Sequence, residues 1–421
     1  MAPLNVNLLK NNLIALFKEK CQKEELELCG ESVVSLFNCL VQKSLDDPTN
    51  PSIQQQQQVE ALIDLANERL LMYPYKDVPS CWRSLLMDAS LLQAFGLLTV
   101  MEQQEAKTTT TNELGRQVIK IVDTALVVSG CPGDKRRQLT LELLNTLQSW
   151  LRPPSSGTNH HRLLTLDATA PLPTLQHPIP TLHQPPDYLW FEAHINQVPM
   201  ATPLRLCGLM DHWPACSSRP WNDLDYLLQM TGDRIVPIEI GPNYTDPSWQ
   251  QKMVRMEDFI HNYILSPSTT AYLAQHNLFD HIPLLANDIS IPEYCYVDPK
   301  PSQWYSSAPP DVIQHAWFGP KGTVSPLHQD PYHNLLAQVV GKKYIRLYAP
   351  TLSQALYPFD GMMSNTSQVD LDSPDLDAYP LFAQAEYMEC ILEPGEMLYI
   401  PPKWWHYVRS LDTSFSVSFW F

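Results

Sequence analysis

The stretch Ser325-Pro-Leu-His-Gln-Asp-Pro-Tyr-His-Asn334 decides how this chain reads. It sets His328 and Asp330 two residues apart. Side chains in an extended strand alternate faces, so an imidazole and a carboxylate at that spacing point the same way. They form part of a metal-binding facial triad, and another strand must supply the third ligand. His406, in Pro401-Pro-Lys-Trp-Trp-His-Tyr-Val408, lies in a second strand-like run. Two histidines and one carboxylate leave positions open on a metal, the arrangement of non-haem Fe(II) oxygenases. Any one of these residues alone reads better as a hydrogen-bonded partner or a strand cap. The three together, in a segment able to bring distant strands side by side, read as a metal site. His333 has the other parity and reads as a rim residue.

Around this stretch the chain predicts many short strands. They fall at His315–Phe318, Val324–Asp330, Leu335–Val340, Lys342–Tyr348, Tyr387–Leu392, Glu396–Ile400, His406–Ser410 and Ser414–Phe421. Gly and Pro turns between them suggest an antiparallel sandwich or barrel. Further back, Asp233–Gly241 alternates, with Glu239 on the side of Ile235 and Pro237. Helices are expected at Trp221–Met230, Lys252–Leu265 and Thr269–Leu278. Between Pro350 and Glu386 runs an insert rich in Asp, Ser and Pro, which reads as a surface loop or a lid.

Residues 1–151 read as an all-α domain. Leu4, Leu8, Leu9, Leu13, Leu16 and Phe17 recur at helical spacing, as do Val33, Leu36, Phe37 and Leu40. Val59, Leu62, Ile63, Ala66 and Leu70 make a third stripe, and Ser84–Leu98, Glu113–Val128 and Arg136–Leu151 predict further helices. Gln54–Gln58 opens one helix as a solvated tract. Four β-branched residues at Thr108–Thr111 predict a loop. Residues 152–186 hold Pro153, Pro154, Pro171, Pro173, Pro178, Pro180, Pro185 and Pro186. Proline at that density blocks helix, so an extended, exposed linker is expected, with residues 187–421 as the second domain.

The totals narrow the partners. The 421 residues carry 28 Lys and Arg against 45 Asp and Glu, a net charge of −17. That balance argues against binding to nucleic-acid backbones, which takes clustered cations. It suits a cationic peptide and equally suits plain solubility. Nine scattered cysteines without a Cys-x-x-Cys pair predict neither a disulfide framework nor a zinc ribbon, and fit a reducing compartment. The opening residues Met1-Ala-Pro-Leu-Asn-Val-Asn7 do not read as a signal peptide, and no run reads as membrane-spanning.

Two more features narrow the chemistry. Asn334 follows the ligand pair, and Lys342-Lys343 opens the next strand. A lysine turned inward beside a metal needs an anion, and a dicarboxylate cosubstrate supplies one. From spacing alone, either lysine could equally be a turn residue in water. The last strand alternates strictly: Phe415, Val417, Phe419 and Phe421 share one face, and Ser414, Ser416, Ser418 and Trp420 share the other. Small hydroxyls beside one indole suit a cavity wall.

Ala316-Trp-Phe-Gly-Pro320, Pro326-Leu-His-Gln-Asp330, Asn334-Leu-Leu-Ala-Gln-Val339, Lys343-Tyr-Ile-Arg-Leu-Tyr348, Pro394-Gly-Glu396 and Trp404-Trp-His406 resemble the Jumonji-C (JmjC) 2-oxoglutarate oxygenases, most closely their hydroxylase-like branch. The resemblance covers roughly residues 203–421. It implies an α+β chain: an all-α N-terminal domain, then a double-stranded β-helix (cupin-like, JmjC) domain with flanking helices. It implies Fe(II), 2-oxoglutarate and O2, with His328, Asp330 and His406 on the metal. It places Tyr272, Ser325, Asn334, Lys343 and Trp420 around the cosubstrate, choosing Lys343 over Lys342. Ser325 then requires a bulge or bend at Pro326, because simple alternation sets it opposite His328. Trp317 would line the pocket, and Glu239 and Tyr244 would grip a cationic side chain. The implied activity is hydroxylation at C-3 of arginyl residues in a protein or peptide. N-methyl-lysine demethylation, metal-dependent cleavage of histone tails and a non-catalytic chromatin scaffold are the alternatives. The implied location is the nucleus, with the cytoplasm as a second compartment.

Overall fold

Apolar stripes in the first part of the chain become helices, and alternating runs in the last part become strands. The computed structural model describes residues 4–18, 25–47, 52–104, 108–153, 162–164, 171–266 and 269–421. The chain divides into two units. One comprises Met1–Asn159, Leu228–Val236 and Arg255–Glu257; the other comprises His160–Leu227, Pro237–Val254 and Asp258–Phe421.

In the first unit the described long helices are α1 (Val6–Phe17), α2 (Glu31–Asp46), α3 (Ile53–Leu71), α4 (Ser80–Glu102), α5 (Thr109–Ser129) and α6 (Asp134–Leu151). Helix α4 is the core: Leu85, Met87, Ala89, Leu91, Ala94 and Leu98 are fully buried against its neighbours. By length and composition it is apolar enough to cross a membrane, which corrects the expectation that no such run exists. However, 78% of that window is buried inside the unit. A helix that is apolar all round is also what the centre of a bundle needs. Arg136 enters this core with Asp88, Nε to Oδ1 at 2.7 Å. The short segment Leu228–Val236 carries Arg234, whose guanidinium meets Asp123 with both side chains fully buried.

Thr108–Thr111 is not a loop. Thr108 caps α5, accepting the Thr111 N–H at 3.2 Å and donating its own N–H to Thr111 Oγ1 at 2.8 Å. The hydroxyls satisfy donors that a first turn leaves free, which outweighs the penalty of β-branching there. The glutamine run begins α3 behind a Ser52 cap closed by Gln55, and it is mostly exposed.

The second unit contains two sheets. The larger has the order β1-β2-β11-β8-β13-β6-β5-β3-β4 and the smaller β10-β9-β12-β7. The strands are β1 (Thr181–Leu182), β2 (Leu204–Cys207), β3 (Ile235–Ile240), β4 (Gln250–Arg255), β5 (Ala271–His276), β6 (Ile313–Gly319) and β7 (Val324–Gln329). They continue as β8 (Asn334–Val340), β9 (Lys343–Tyr348), β10 (Met388–Leu392), β11 (Glu396–Ile400), β12 (Trp405–Ser410) and β13 (Ser414–Trp420). Leu336, Leu398 and Ile400 of the large sheet pack on Ile345, Leu347 and Val408 of the small one. This is a double-stranded β-helix. The insert after β9 covers the outer face of the small sheet, where Leu356, Val369 and Phe382 bury Tyr348, Trp405 and Tyr407.

One expected helix is a strand, and another is a strand over its first part. Over Lys252–Leu265 only the second half is helical, Met256–Phe259 widening into a π-turn at Ile260–Leu265, while β4 takes the first half. Thr269–Leu278 is β5 instead. Its Ala271, Tyr272 and Leu273 are all buried, so both faces are apolar and the two-residue period disappears. The helix expected at Trp221–Met230 spans Leu224–Thr231. The linker also differs. Residues 154–161 and 165–170 lie outside the described residues. Beyond them Ile179 is buried, its N–H donates to Glu389 O at 2.9 Å, and β1 runs parallel to β2. That half of the proline-rich stretch runs along the sheet, while most of its residues are exposed as expected.

Candidate metal centre and its two chambers

Strands β7 and β12 are antiparallel neighbours, and their register sets His406 directly opposite His328. The imidazole centroids are 4.1 Å apart. Asp330 lies just past the end of β7, with Oδ2 3.5 Å from His406 Nε2 and 4.0 Å from His328 Nε2. All three candidate ligand atoms lie within 4.8 Å of one another. The loop before β12 holds the carboxylate's backbone: Lys403 N–H, on a residue with φ of 63°, donates to Asp330 O at 2.8 Å.

Backbone carbonyls orient both rings. His328 Nδ1 is 2.7 Å from Pro326 O, and His406 Nδ1 is 3.0 Å from Trp404 O. A carbonyl can only accept, so each Nδ1 donates to it, and each Nε2 is left facing Asp330. Burial, reinforced by His406, pushes His328 down to about 4, so it is neutral at neutral pH. Burial alone would raise the Asp330 carboxyl, but the hydrogen bond from His406 and the two imidazoles beyond it bring it below its usual value. Two imidazole nitrogens and one carboxylate form a donor set that fits Fe(II) with open positions.

Register explains Ser325. Val408 pairs with Ser325 while His406 pairs with His328, so two steps on β12 face three on β7. The extra residue is a bulge at Pro326, which has no N–H to give the ladder. It turns Ser325 to the same side as His328. Ser325 then lines an inner chamber with Tyr272, Asn334, Lys343, Trp317 and the three candidate ligands. Lys343 is 1% exposed and donates to Tyr272 Oη at 3.0 Å; burial drives its pKa down to about 7. Lys342 points away and pairs with Glu393 at 2.7 Å. Asn334 Oδ1 is buried without a partner. An ammonium, and an Asn334 side chain whose amide NH2 can donate, beside a facial triad fit a small chelating dicarboxylate. On β13, Ser418 accepts the Trp317 indole N–H at 3.0 Å and so fixes the chamber wall.

A wider outer cleft opens on the same ligands. His328, Asp330, Ser325, Tyr272 and Trp317 are shared, and Glu239, Tyr244, Trp249, Gln275, Thr366 and Trp420 are added. Trp420, grouped with the cosubstrate in the sequence, therefore lines this cleft and not the inner chamber. Glu239 sits opposite Tyr272 in the β3–β5 register. Burial raises its pKa, with the Trp249 indole opposing. Tyr244 Oη is 3.3 Å from Thr366 Oγ1, and its hydroxyl is pushed up to about 12, chiefly by burial.

His333 is not at the rim. It is 3% exposed, with Nδ1 2.8 Å from Tyr399 Oη and its ring 5.4 Å from that of Phe421. The core, rather than the site, claims it. Sequence reasoning missed Trp249, Gln275 and Thr366. Gln275 fell within a wrongly expected helix; it carries a φ of 48° beside a register shift in β5. Thr366 belongs to the insert, where it forms an isolated antiparallel bridge with His328. No local period marks either residue.

The cupin-like domain family matches residues 191–421. Lysine-specific demethylase 8 of Xenopus tropicalis is 49% identical over 244 residues, covering 58% of this chain and 52% of that protein. Lysine-specific demethylase JMJ30 of Arabidopsis thaliana is 52% identical over 223 residues, covering 52% of this chain and 49% of that one. Jumonji C domain-containing protein 5 of Drosophila melanogaster is 48% identical over 224 residues, covering 52% and 54%. The chain belongs to the cupin-like family, as a JmjC 2-oxoglutarate oxygenase. It spans about half the length of the curated relatives it matches. A JmjC domain uses Fe(II), 2-oxoglutarate and O2, and the His328–Asp330–His406 group is able to hold the metal.

Proposed function

We propose that this JmjC oxygenase hydroxylates a protein side chain that is cationic and planar, an arginyl residue at C-3. The observation that carries the reading is Glu239, a carboxylate turned into the outer cleft. Among the described residues no Lys or Arg pairs with it. A desolvated carboxylate is stabilised most by a bidentate guanidinium, and the cleft indoles Trp249 and Trp317 offer faces on which one stacks.

His328, Asp330 and His406 would hold Fe(II), and Tyr272, Ser325, Asn334 and Lys343 would hold 2-oxoglutarate. When bound, the metal and cosubstrate supply an oxidant for an unactivated C–H bond as 2-oxoglutarate becomes succinate and CO2. The protein's share is positioning. Lys343 meets the far carboxylate, with Tyr272 fixing its ammonium. Asn334 offers its amide to the chelating end. Trp317, held by Ser418, stands between the two chambers. Glu239 and Tyr244 hold the substrate's charged end, so that a carbon nearer its backbone faces the metal.

The aromatic lining favours a second reading. Trp249, Trp317, Trp420 and Tyr244 could cage an N-methylated lysine, and relatives are named lysine-specific demethylases. A histone-tail substrate and a nuclear role would go with that reading. The two chemistries separate by mass. Arginyl and methyl-lysyl peptide panels, incubated with Fe(II) and 2-oxoglutarate, should yield an arginyl product heavier by one oxygen. Loss of methyl groups, with arginyl peptides untouched, would decide for demethylation.

A further inference from the structure

Lys343 has a property that holding 2-oxoglutarate does not use. It is 1% exposed, and its hydrogen-bond partner is a neutral phenol, Tyr272 Oη at 3.0 Å. Among the described residues no carboxylate pairs with it. The other buried lysine among them, Lys10, meets Glu102 at 2.6 Å, and the neighbouring Lys342 meets Glu393 at 2.7 Å. A carboxylate beside a lysine holds its proton, whereas burial without one drives the proton off. The ligand-free chamber therefore presents an uncharged amine in a large share of molecules at neutral pH, in keeping with a pKa lowered to about 7 by burial. An uncharged lysine amine is a nucleophile.

We propose that Lys343 is a carbon dioxide site: without 2-oxoglutarate its amine takes up CO2 as a carbamate, and the carbamate then bars the cosubstrate. The exclusion rests on the reading that places 2-oxoglutarate at Lys343; formation of the carbamate does not. Lys343 Nζ gives its lone pair to the carbon of CO2, and an N–C bond forms. One C=O π pair moves onto oxygen, and one N–H proton leaves for water. Nothing is oxidised or reduced, and loss of CO2 reverses the step. The charge at this position changes from positive to negative, just where the far carboxylate of the cosubstrate needs a cation.

The chamber suits the product. Tyr272, Ser325 and Asn334 line it together with Lys343. Two hydroxyls and an amide NH2 are neutral donors, and burial keeps the Tyr272 phenol protonated. An anion that accepts two or three hydrogen bonds persists in a buried site without a counter-charge. The volume of about 360 Å³ exceeds what the three added atoms need. CO2 is also a product of 2-oxoglutarate decarboxylation, so turnover releases it into the chamber where Lys343 stands. Once succinate leaves, the amine is exposed to CO2 and the carbamate acts as a brake on the next cycle.

The full chain, given Zn(II) in place of Fe(II) so that nothing turns over, would be equilibrated at neutral pH with carbon-13-labelled bicarbonate. Carbon-13 NMR detects the carbamate, and alkylation of its carboxyl group followed by peptide mass spectrometry locates it. A carbamate should form on Lys343 and vanish when 2-oxoglutarate is added. The apparent Kd for 2-oxoglutarate should rise about twofold at the CO2 level that modifies half the chains. Lys343→Arg keeps a buried cation, so its weaker 2-oxoglutarate binding should be independent of CO2. No carbamate on Lys343, with 2-oxoglutarate still bound by the native chain, would overturn the CO2 site and leave the cosubstrate reading intact. A carbamate that coexists with bound 2-oxoglutarate would overturn the exclusion together with the placement of the cosubstrate at Lys343. Weakening of 2-oxoglutarate by CO2 with no carbamate trapped would mean bicarbonate bound as an ion, which also overturns the proposal.

Discussion

The ammonium of Lys343 lies 3.0 Å from the hydroxyl of Tyr272, in a chamber where burial lowers its pKa to about 7. Between about pH 7 and 10.5 the unfolded chain holds a proton here that the folded chain lacks. The ligand-free protein should therefore gain stability as pH rises through that window, by about 1.4 kcal/mol per unit from this group. A bound dicarboxylate restores the charge, so 2-oxoglutarate affinity should fall by up to about tenfold per unit above pH 7. Lys343→Met should flatten the thermal-stability slope and weaken 2-oxoglutarate by about 100-fold or more. Melting curves and calorimetric titrations at two pH values check both.

Asp330→Ala removes the carboxylate ligand and leaves the two imidazoles facing each other. Anaerobic titration with Fe(II) and 2-oxoglutarate should then show no metal-to-ligand charge-transfer band. The native protein should show one, and a chelator should lower its melting temperature. A band that survives in Asp330→Ala would place the metal elsewhere.

Gly319 makes room for Tyr272. A Cβ there would sit 2.6 Å from Tyr272 Cδ2 and 2.9 Å from Thr323 Cγ2. Gly319→Ala should push the phenol off Lys343 at a cost of about 1–3 kcal/mol. The KM for 2-oxoglutarate should rise more than kcat falls, which steady-state succinate assays resolve.

Glu239→Gln keeps the shape of the outer cleft and removes its charge. For an arginyl peptide, kcat/KM should drop by roughly 10- to 100-fold, the scale of a lost charge-assisted hydrogen bond. Substrate-free succinate release should change little. Since burial raises the pKa of Glu239, native kcat/KM should fall on acidification sooner than for an exposed glutamate. That fall should be missing in Glu239→Gln.

In the helical unit, Asp123 accepts Arg234 Nε and Nη2 at 2.9 Å each and Ile235 N–H at 2.7 Å. Asp123→Ala strands a buried guanidinium and should destabilise the protein by about 3–5 kcal/mol in chemical denaturation. Adding Arg234→Met should recover part of the loss, because a buried pair replaced by apolar side chains is close to neutral.

Much of the fold was legible because local period reports local structure. The helical stripes of residues 1–151 and the alternation from Val324 to Phe421 fall on the elements found. The errors cluster where period fails. β5 is apolar on both faces, Thr108–Thr111 trades propensity for capping, and α4 is apolar all round as a bundle core requires. The half of the proline-rich stretch that joins the sheet gave no sign of it, because its partners, Leu204–Cys207 and Glu389, lie far along the chain.

By itself the sequence determined the residue types of the centre and the parity of His328 and Asp330. The family resemblance, through Ser325, added a bulge or bend at Pro326. Side-chain alternation and the missing proline N–H are properties of a few consecutive residues, so they can be read without a partner. Only the tertiary structure decided the rest. It set His406 opposite His328, turned Lys343 inward and Lys342 toward Glu393, sent His333 into the core, and gathered Glu239, Trp249, Thr366 and Trp420 into one cleft. Those placements follow from register between strands distant in the chain, and the chain's local pattern does not encode which distant strand will pair.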